Sequence, residues 1–170
     1  MNTQRNITIR KAQAGDLEAV VSILNETILL PFTNGYTVPF TTDERLEWFE
    51  EHNNAQYPLY IAEAGHEIAG WLSLSPYRSG RDAFRFTKEI SYYIAKKYFR
   101  LGIATMLVQY AIEHAAALEA KNYIAILMGA NAASIGLLEK CGFEKWAFMP
   151  GVAEINGKPY DHVYYGKKLG

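Results

Sequence analysis

Lys96-Lys97-Tyr98-Phe99-Arg100-Leu101-Gly102-Ile103-Ala104 joins an aromatic and β-branched run at 86–94 to a long segment that starts at Gly102. The run before it has the composition of a strand. The segment after it, 102–120, sets Ile103, Leu107, Ala111, Ala115 and Leu118 along one helical stripe. A strand therefore runs into a short basic loop that opens directly onto a helix. The first turn of such a helix carries unpaired N–H groups and the positive end of its dipole. Gly102 and Ala104 leave room for an anion to approach the backbone, and Lys96, Lys97 and Arg100 add positive charge with no carboxylate among them. The place suits a pyrophosphate. The same pattern also fits a glycine at a helix start beside a solvated basic run.

Other phosphate loops fit worse. No G-x-x-x-x-G-K-[ST] is present, which disfavours an ATP or GTP hydrolase, and no G-x-G-x-x-G follows a strand, which disfavours a dinucleotide dehydrogenase. Towards the N-terminus, residues 7–10 alternate like a short strand. Asp16 is placed to cap a helix on which Leu17, Val20, Val21, Leu24 and Ile28 recur at helical spacing. Residues 31–40 hold two prolines, a glycine and an asparagine and read as a loop. Thr41-x-x-Glu44 predicts a capping box, with Leu46 and Phe49 on the inner face of the helix it opens. Runs at 59–64 and 68–75 flank Gly65-His66-Glu67, a hairpin signal.

Beyond the basic loop and its helix, 123–128 is a continuous apolar run, as expected of a central buried strand. A short helix begins at Asn131 or Ala132 and ends at Cys141, with Gly142 placed for a left-handed cap. Strands at 143–149 and 161–168 are joined through the turn-like Asn156-Gly157. A meander followed by strand–helix–strand–helix–strand predicts an α/β sheet with helices on both faces.

A chain of 170 residues predicts one domain, 1–170, long enough to bury a core without disulfides or metals. With 49% hydrophobic and 21% charged residues it reads as globular. Its net charge of -1 gives no global attraction to nucleic acid or to an anionic membrane, so neither is an expected partner and any anion site must be local. Cys141 stands alone and excludes an intrachain disulfide. With no signal-like leader and no apolar run of membrane length, a cytoplasmic location is expected. His52, His66, His114 and His162 are scattered without ligand spacing, so no metal is expected.

The strand–loop–helix with its Arg-x-Gly-x-Ala core resembles the coenzyme A signature of the GNAT N-acetyltransferase superfamily. The likeness runs from Ile9-Arg10 to the last strand, and in particular resembles the phosphinothricin and methionine sulfoximine N-acetyltransferase group. Three segments carry it: Arg81-x-x-Phe84-x-x-Thr87-x-Glu89-x-Ser91-x-Tyr93-Ile94; then Arg100-Leu101-Gly102-Ile103-Ala104-Thr105; then Asn131-Ala132-Ala133-Ser134-Ile135, ending Glu139-Lys140-Cys141-Gly142-Phe143. The resemblance implies a GNAT fold, a mixed and mostly antiparallel sheet of six or seven strands. It implies acetyl-CoA as co-substrate and a homodimer. It also implies that backbone groups of Tyr92, Tyr93 and Ile94 meet the pantetheine arm, that residues Arg100, Leu101, Gly102, Ile103, Ala104 and Thr105 wrap the pyrophosphate, and that Asn131 touches the cofactor near the thioester. Asn131 reads equally as a helix N-cap. Two positions depart from the pattern: Phe99 stands where the superfamily loop begins with Gln or Arg, and Leu138 where many relatives carry a Tyr or His that protonates the departing thiolate.

Acetyl transfer to an amine needs a base, because an alkyl ammonium has no lone pair until it loses a proton. Glu89 is the candidate. It precedes Ile94 by roughly 17 Å of extended strand, a reach comparable to a pantetheine arm laid back from the loop. By alternation alone it is an ordinary solvent-facing carboxylate sharing a face with Ser91 and Tyr93; the family motif makes it the base. Arg81, Phe84, Thr87 and Phe32 are the acceptor-binding candidates, with Arg81 suited to a carboxylate or phosphinate by paired hydrogen bonds. These arginines also read as cover for a surface strand. The expected reaction is direct attack of a small, acidic, amino-acid-like amine on the thioester, with Cys141 not required as an acyl carrier. The alternatives are another amine (peptide N-terminus, aminoglycoside or polyamine) and a non-catalytic acetyl-CoA sensor.

Overall fold

The structure, a computed structural model, describes residues 6–52 and 54–170. Its strands are β1 (Ile7–Lys11), β2 (Leu59–Ala64), β3 (Glu67–Pro76), β4 (Thr87–Ile94), β5 (Asn122–Met128), β6 (Glu144–Ile155) and β7 (Lys158–Lys168). Its helices are α1 (Leu17–Ile28), α2 (Thr42–Glu51), α3 (Ile103–Glu113) and α4 (Ala132–Lys140). The strands form one sheet ordered β1-β2-β3-β4-β5-β7-β6. Every pairing is antiparallel except β4 with β5. This is the mixed, mostly antiparallel sheet that the sequence led us to expect.

Turn chemistry sets the two hairpins. Gly65, at φ 70°, lets β2 return as β3. Asn156 and Gly157 both adopt positive φ, 52° and 73°, as a two-residue turn between β6 and β7 requires. Helices cover both faces. Trp71 on β3 donates its indole N–H to the Val20 carbonyl of α1 at 3.0 Å, and it packs on Trp48 of α2. On the opposite face the Tyr123 hydroxyl of β5 donates to the Ala111 carbonyl of α3 at 2.8 Å. Leu72, Leu74, Ile90, Leu107 and Val108 fill the core between α3 and the sheet.

Four local readings change. Asp16 occupies the N-cap position of α1 but makes no cap bond; its carboxylate is held by Arg10 at 2.7 and 2.9 Å and by the Gln13 N–H at 2.7 Å. Arg10 and the Gln13 N–H engage both carboxylate oxygens, which turns them away from the helix end. Thr41 and Glu44 do form the capping box, yet Leu46 is 44% exposed while Phe49 is buried. Arg45, Trp48, Phe49 and His52 form the inward stripe instead, because Trp48 docks on Trp71.

The helix expected over 102–120 ends at Glu113. Ala115 and Leu118 remain buried, through a separate 3-10 turn at Ala116–Leu118, and Glu119 at φ 53° turns the chain back. The return is set by pairing: the N–H groups of Lys121 and Asn122 both reach the Phe86 carbonyl, which starts β5 parallel to β4. Apolar periodicity reported burial there, not continuity of the helix. β6 is longer than expected because it continues past a register shift between Met149 and Ala153, where Pro150 has no N–H to give the ladder.

Candidate active site

β4 pairs with β3 along its whole length, from Lys88 opposite Pro76 to Ile94 opposite Gly70. Its pairing with β5 covers three positions, Thr87 with Asn122, Lys88 with Tyr123 and Glu89 with Ile124. Beyond Glu89 the two strands part, and β5 stays with β7 through Met128. The β5-side backbone of residues 90–94 is therefore left without a strand partner. Buried or half-buried N–H and C=O groups in that state demand a ligand or water.

The same strand leads into the basic loop. The Ala95 N–H bonds to the Ala69 carbonyl at 2.9 Å, and Tyr98 is buried with its hydroxyl on Glu67. Arg100 and Gly102 then adopt positive φ, 63° and 78°, an alternation of backbone hand compatible with an anion nest. The first backbone bond of α3 runs from the Met106 N–H to the Gly102 carbonyl at 3.0 Å. The N–H groups of Ile103, Ala104 and Thr105 thus have no helical acceptor. At Gly102 a Cβ would meet no protein atom within 4 Å, and the φ of 78° is what calls for glycine there.

These elements border a cleft of about 470 Å³. Tyr92, Tyr93, Ile94, Arg100, Gly102, Ile103, Ala104, Thr105 and Asn131 all line it. Leu101 does not, and is 56% exposed. Asn131 caps α4 as expected, its side-chain oxygen accepting from the Ser134 N–H at 3.2 Å, and it also lines the cleft. The loop's charge is weaker than its composition implies. Glu67 pairs with Lys97 at 2.7 Å, and Glu26 takes the Lys96 N–H at 2.8 Å. Arg100 has no acidic partner among the described residues. Sequence reasoning had not picked Thr27, Thr33, Ser134 and Leu137, which come to the wall from α1, its following loop and α4; their place on the wall is set by tertiary packing, which leaves no local signal.

Glu89 is half-buried on the α1–α2 face, with no ion pair among the described residues, and burial pushes its carboxyl above the usual range. Its register neighbour Ser75 meets His52 Nε2 at 2.8 Å, while His52 Nδ1 lies 2.7 Å from the Trp48 carbonyl. A carbonyl can only accept, so Nδ1 carries the proton and Nε2 accepts from Ser75. Burial lowers the His52 pKa and keeps this ring neutral. Burial likewise raises the Tyr93 phenol, which also feels Tyr36, Arg45 and Glu89. Arg45 was overlooked in the sequence. Its guanidinium lies 4.1 Å from the Trp48 ring and 5.0 Å from the Phe40 ring, and its buried Nε has no hydrogen-bond acceptor. The Arg45-x-x-Trp48 spacing on a helix was the available signal.

The acceptor candidates are spread out. Arg81 and Phe84 share a second cleft with Tyr57 and Tyr77 at the start of β4, the end away from the basic loop. The Thr87 hydroxyl accepts from Asn122 at 3.2 Å, tying β4 to β5. Phe32, at φ 63°, packs its ring 5.1 Å from Tyr160 and so brings the loop after α1 onto β7; its neighbour Thr33 lines the main cleft.

A parted strand pair, left-handed turns and a free helix N-terminus border one cleft, an arrangement chemically suited to a phosphate-bearing chain. The Acetyltransferase (GNAT) family matches residues 22–143. YwnH of Bacillus subtilis strain 168, whose name assigns it provisionally to phosphinothricin acetylation, is 38% identical over 164 residues, 96% of this chain and 99% of its own. The L-methionine sulfoximine/L-methionine sulfone acetyltransferase of Salmonella typhimurium is 32% identical over 165 residues, 96% of this chain and 95% of its own. The crystal structure of a GNAT superfamily phosphinothricin acetyltransferase from Sinorhizobium meliloti, in complex with acetyl-CoA, superposes with a TM-score of 0.90 at 27% identity. That alignment covers 96% of this chain and 89% of the other. The chain belongs to the GNAT family and is an acetyl-CoA-dependent N-acetyltransferase.

Proposed function

We propose that the protein, acting as one domain over 1–170, moves acetyl from acetyl-CoA to the amine of a small acidic acceptor of the phosphinothricin or methionine sulfoximine type. The observation that carries this reading is the parting of β4 from β5 after Glu89, which opens one strand edge between a carboxylate and an anion-binding helix end. Residues 100–105 hold the diphosphate and the open edge at 92–94 holds the pantetheine arm. Glu89, directly or through a water, takes the proton that the acceptor ammonium must lose. Its raised pKa brings it closer to that of the amine, and the transfer costs less for it. The nitrogen then attacks the thioester carbon, while a backbone N–H of the open edge faces the oxygen that gains charge.

For the acceptor's acidic group two cations stand out. Arg81 has no ion-pair partner among the described residues and sits with Phe84 in the second cleft. Arg45 is steered by its aromatic cage towards the Tyr93 and Glu89 side of the sheet. The names of the two relatives, both of which give amino-acid analogues bearing a carboxylate as acceptors, support this substrate class. Thiol release from acetyl-CoA is the test, with a panel of phosphinothricin, methionine sulfoximine, amino acids, polyamines and aminoglycosides. Fast release confined to polyamines or aminoglycosides refutes the acidic acceptor. Tight acetyl-CoA binding with no release on any amine refutes the catalyst and leaves a sensor.

We further propose a cytoplasmic homodimer joined through β6. This 12-residue strand lies at the sheet edge, and it exposes Trp146, Phe148 and Val152. Sedimentation at micromolar concentration that returns a monomer rejects it.

A further inference from the structure

The leaving thiolate also needs a proton, and the structure points to where it comes from. As the C–S bond breaks, the electron pair stays on sulfur, and a donor at that place lowers the barrier. The helix that faces the open gap offers little. Leu138 of α4 is fully buried and has nothing to donate. Cys141, behind it, is a thiol that burial pushes up. Asn131 is committed to the α4 cap, and an amide is no proton donor at neutral pH. From β4, on the same side of the sheet as α3 and α4, comes Tyr92. It lines both the main cleft and the smaller pocket between the parted strands, in each case together with Asn131 and Ser134.

The Tyr92 hydroxyl is buried and has no hydrogen-bond partner. Ser134 lies close enough to favour its charged form slightly, but no hydrogen bond of proper geometry joins them. A buried phenol left unsatisfied is costly to the fold, so its presence asks for a partner that arrives with the substrate.

We propose that Tyr92 is the proton donor to the departing thiolate, replacing a donor that α4 lacks. This rests on the acetyltransferase reading above. The Oη–H bond breaks, its proton passes to sulfur and the phenolate is left. The phenolate regains a proton from solvent or from the one released by the acceptor nitrogen, so atoms and charge balance over one turnover. Burial pushes the phenol up to about 12, which keeps it protonated through the neutral range.

The test is Tyr92→Phe, a change that removes the unpaired hydroxyl and keeps the ring, so the fold should tolerate it. Acetyl-CoA affinity, measured by calorimetry, should stay within about threefold of the wild type. Turnover with acetyl-CoA should fall about a hundredfold. The deciding readout is the leaving group: with the acetyl thioester of an acidic aryl thiol, which departs without help, the deficit should shrink to a few-fold. A deficit equal for both thioesters means that Tyr92 only shapes the site, and overturns the proposal. Wild-type turnover in the variant overturns it as well. Failure of the wild type to release thiol with any amine would instead defeat the enzyme reading, and the proposal with it.

Discussion

Glu89 on β4 faces Ile124 on β5 as the last register pair before the two strands separate. The candidate base thus stands at the closed end of the gap, where β4 changes from a paired strand into an open edge. A carboxylate in that position is partly shielded from water, and its raised pKa follows from the shielding.

The pH dependence follows from that shift. Glu89 must be ionised to accept a proton, so kcat/KM should rise with pH through a pKa above the ordinary carboxylate value of about 4.3. Glu89→Gln should cost roughly a hundredfold or more in kcat, leave acetyl-CoA binding nearly intact and abolish that acid limb. An acid limb that survives in the variant would assign it to another group. A carboxyl whose folded pKa lies above its unfolded value contributes stability below the unfolded pKa, and that is lost as pH rises through the folded one. At neutral pH Glu89→Gln should therefore raise Tm.

Gly70 controls the open edge from the opposite side. A Cβ there would lie 2.5 Å from Ile94 Cδ1 and 2.8 Å from the Tyr93 carbonyl oxygen. Gly70→Ala should push β4 sideways at the residues assigned to the pantetheine arm. We expect a loss of about 1–3 kcal/mol in denaturant unfolding, and a weaker acetyl-CoA Kd in titration calorimetry. An unchanged Kd would detach the arm from residues 93–94.

The two arginines are separable. Arg81→Ala should raise the KM of an acidic acceptor about tenfold, the loss of a charge-assisted hydrogen bond, without changing the KM of acetyl-CoA. If Arg45→Met does so and Arg81→Ala does not, the acid group lies on the Tyr93 side of the sheet.

Lys88 makes a prediction about stability alone. It is fully buried on β4, its Nζ has no hydrogen-bond partner, and it lies 4.2 Å from the Tyr57 ring. Burial lowers its pKa, against a smaller opposing pull from Glu119. The unfolded chain then binds the proton more tightly than the fold does, so the penalty is fully present below the folded pKa and fades as pH climbs towards the unfolded value of about 10.4. Lys88→Met should raise Tm at neutral pH, by an amount that narrows in alkaline buffer. A constant difference across pH would mean that the ammonium is already satisfied.

Local chemistry was readable residue by residue. The Thr41–Glu44 capping box, the Asn156-Gly157 turn, the Asn131 cap and the left-handed Gly142 depend on neighbours within a few positions, and all were visible before any fold was known. Leu46 and the end of α3 were misread for a common reason. Periodicity identifies a buried stripe only to within a rotation of the helix, and it does not register where the backbone stops bonding to itself.

By itself the sequence determined the order of strands and helices, the basic loop ahead of α3, and the family. These are short-range properties, or patterns copied along the chain. Only tertiary structure decided that β4 and β5 part after three pairs, that Glu67 takes the charge of Lys97, and that Tyr92 and Asn131 meet across one gap. Each joins segments thirty or more residues apart, and which distant groups become neighbours is settled by packing the whole sheet against its helices.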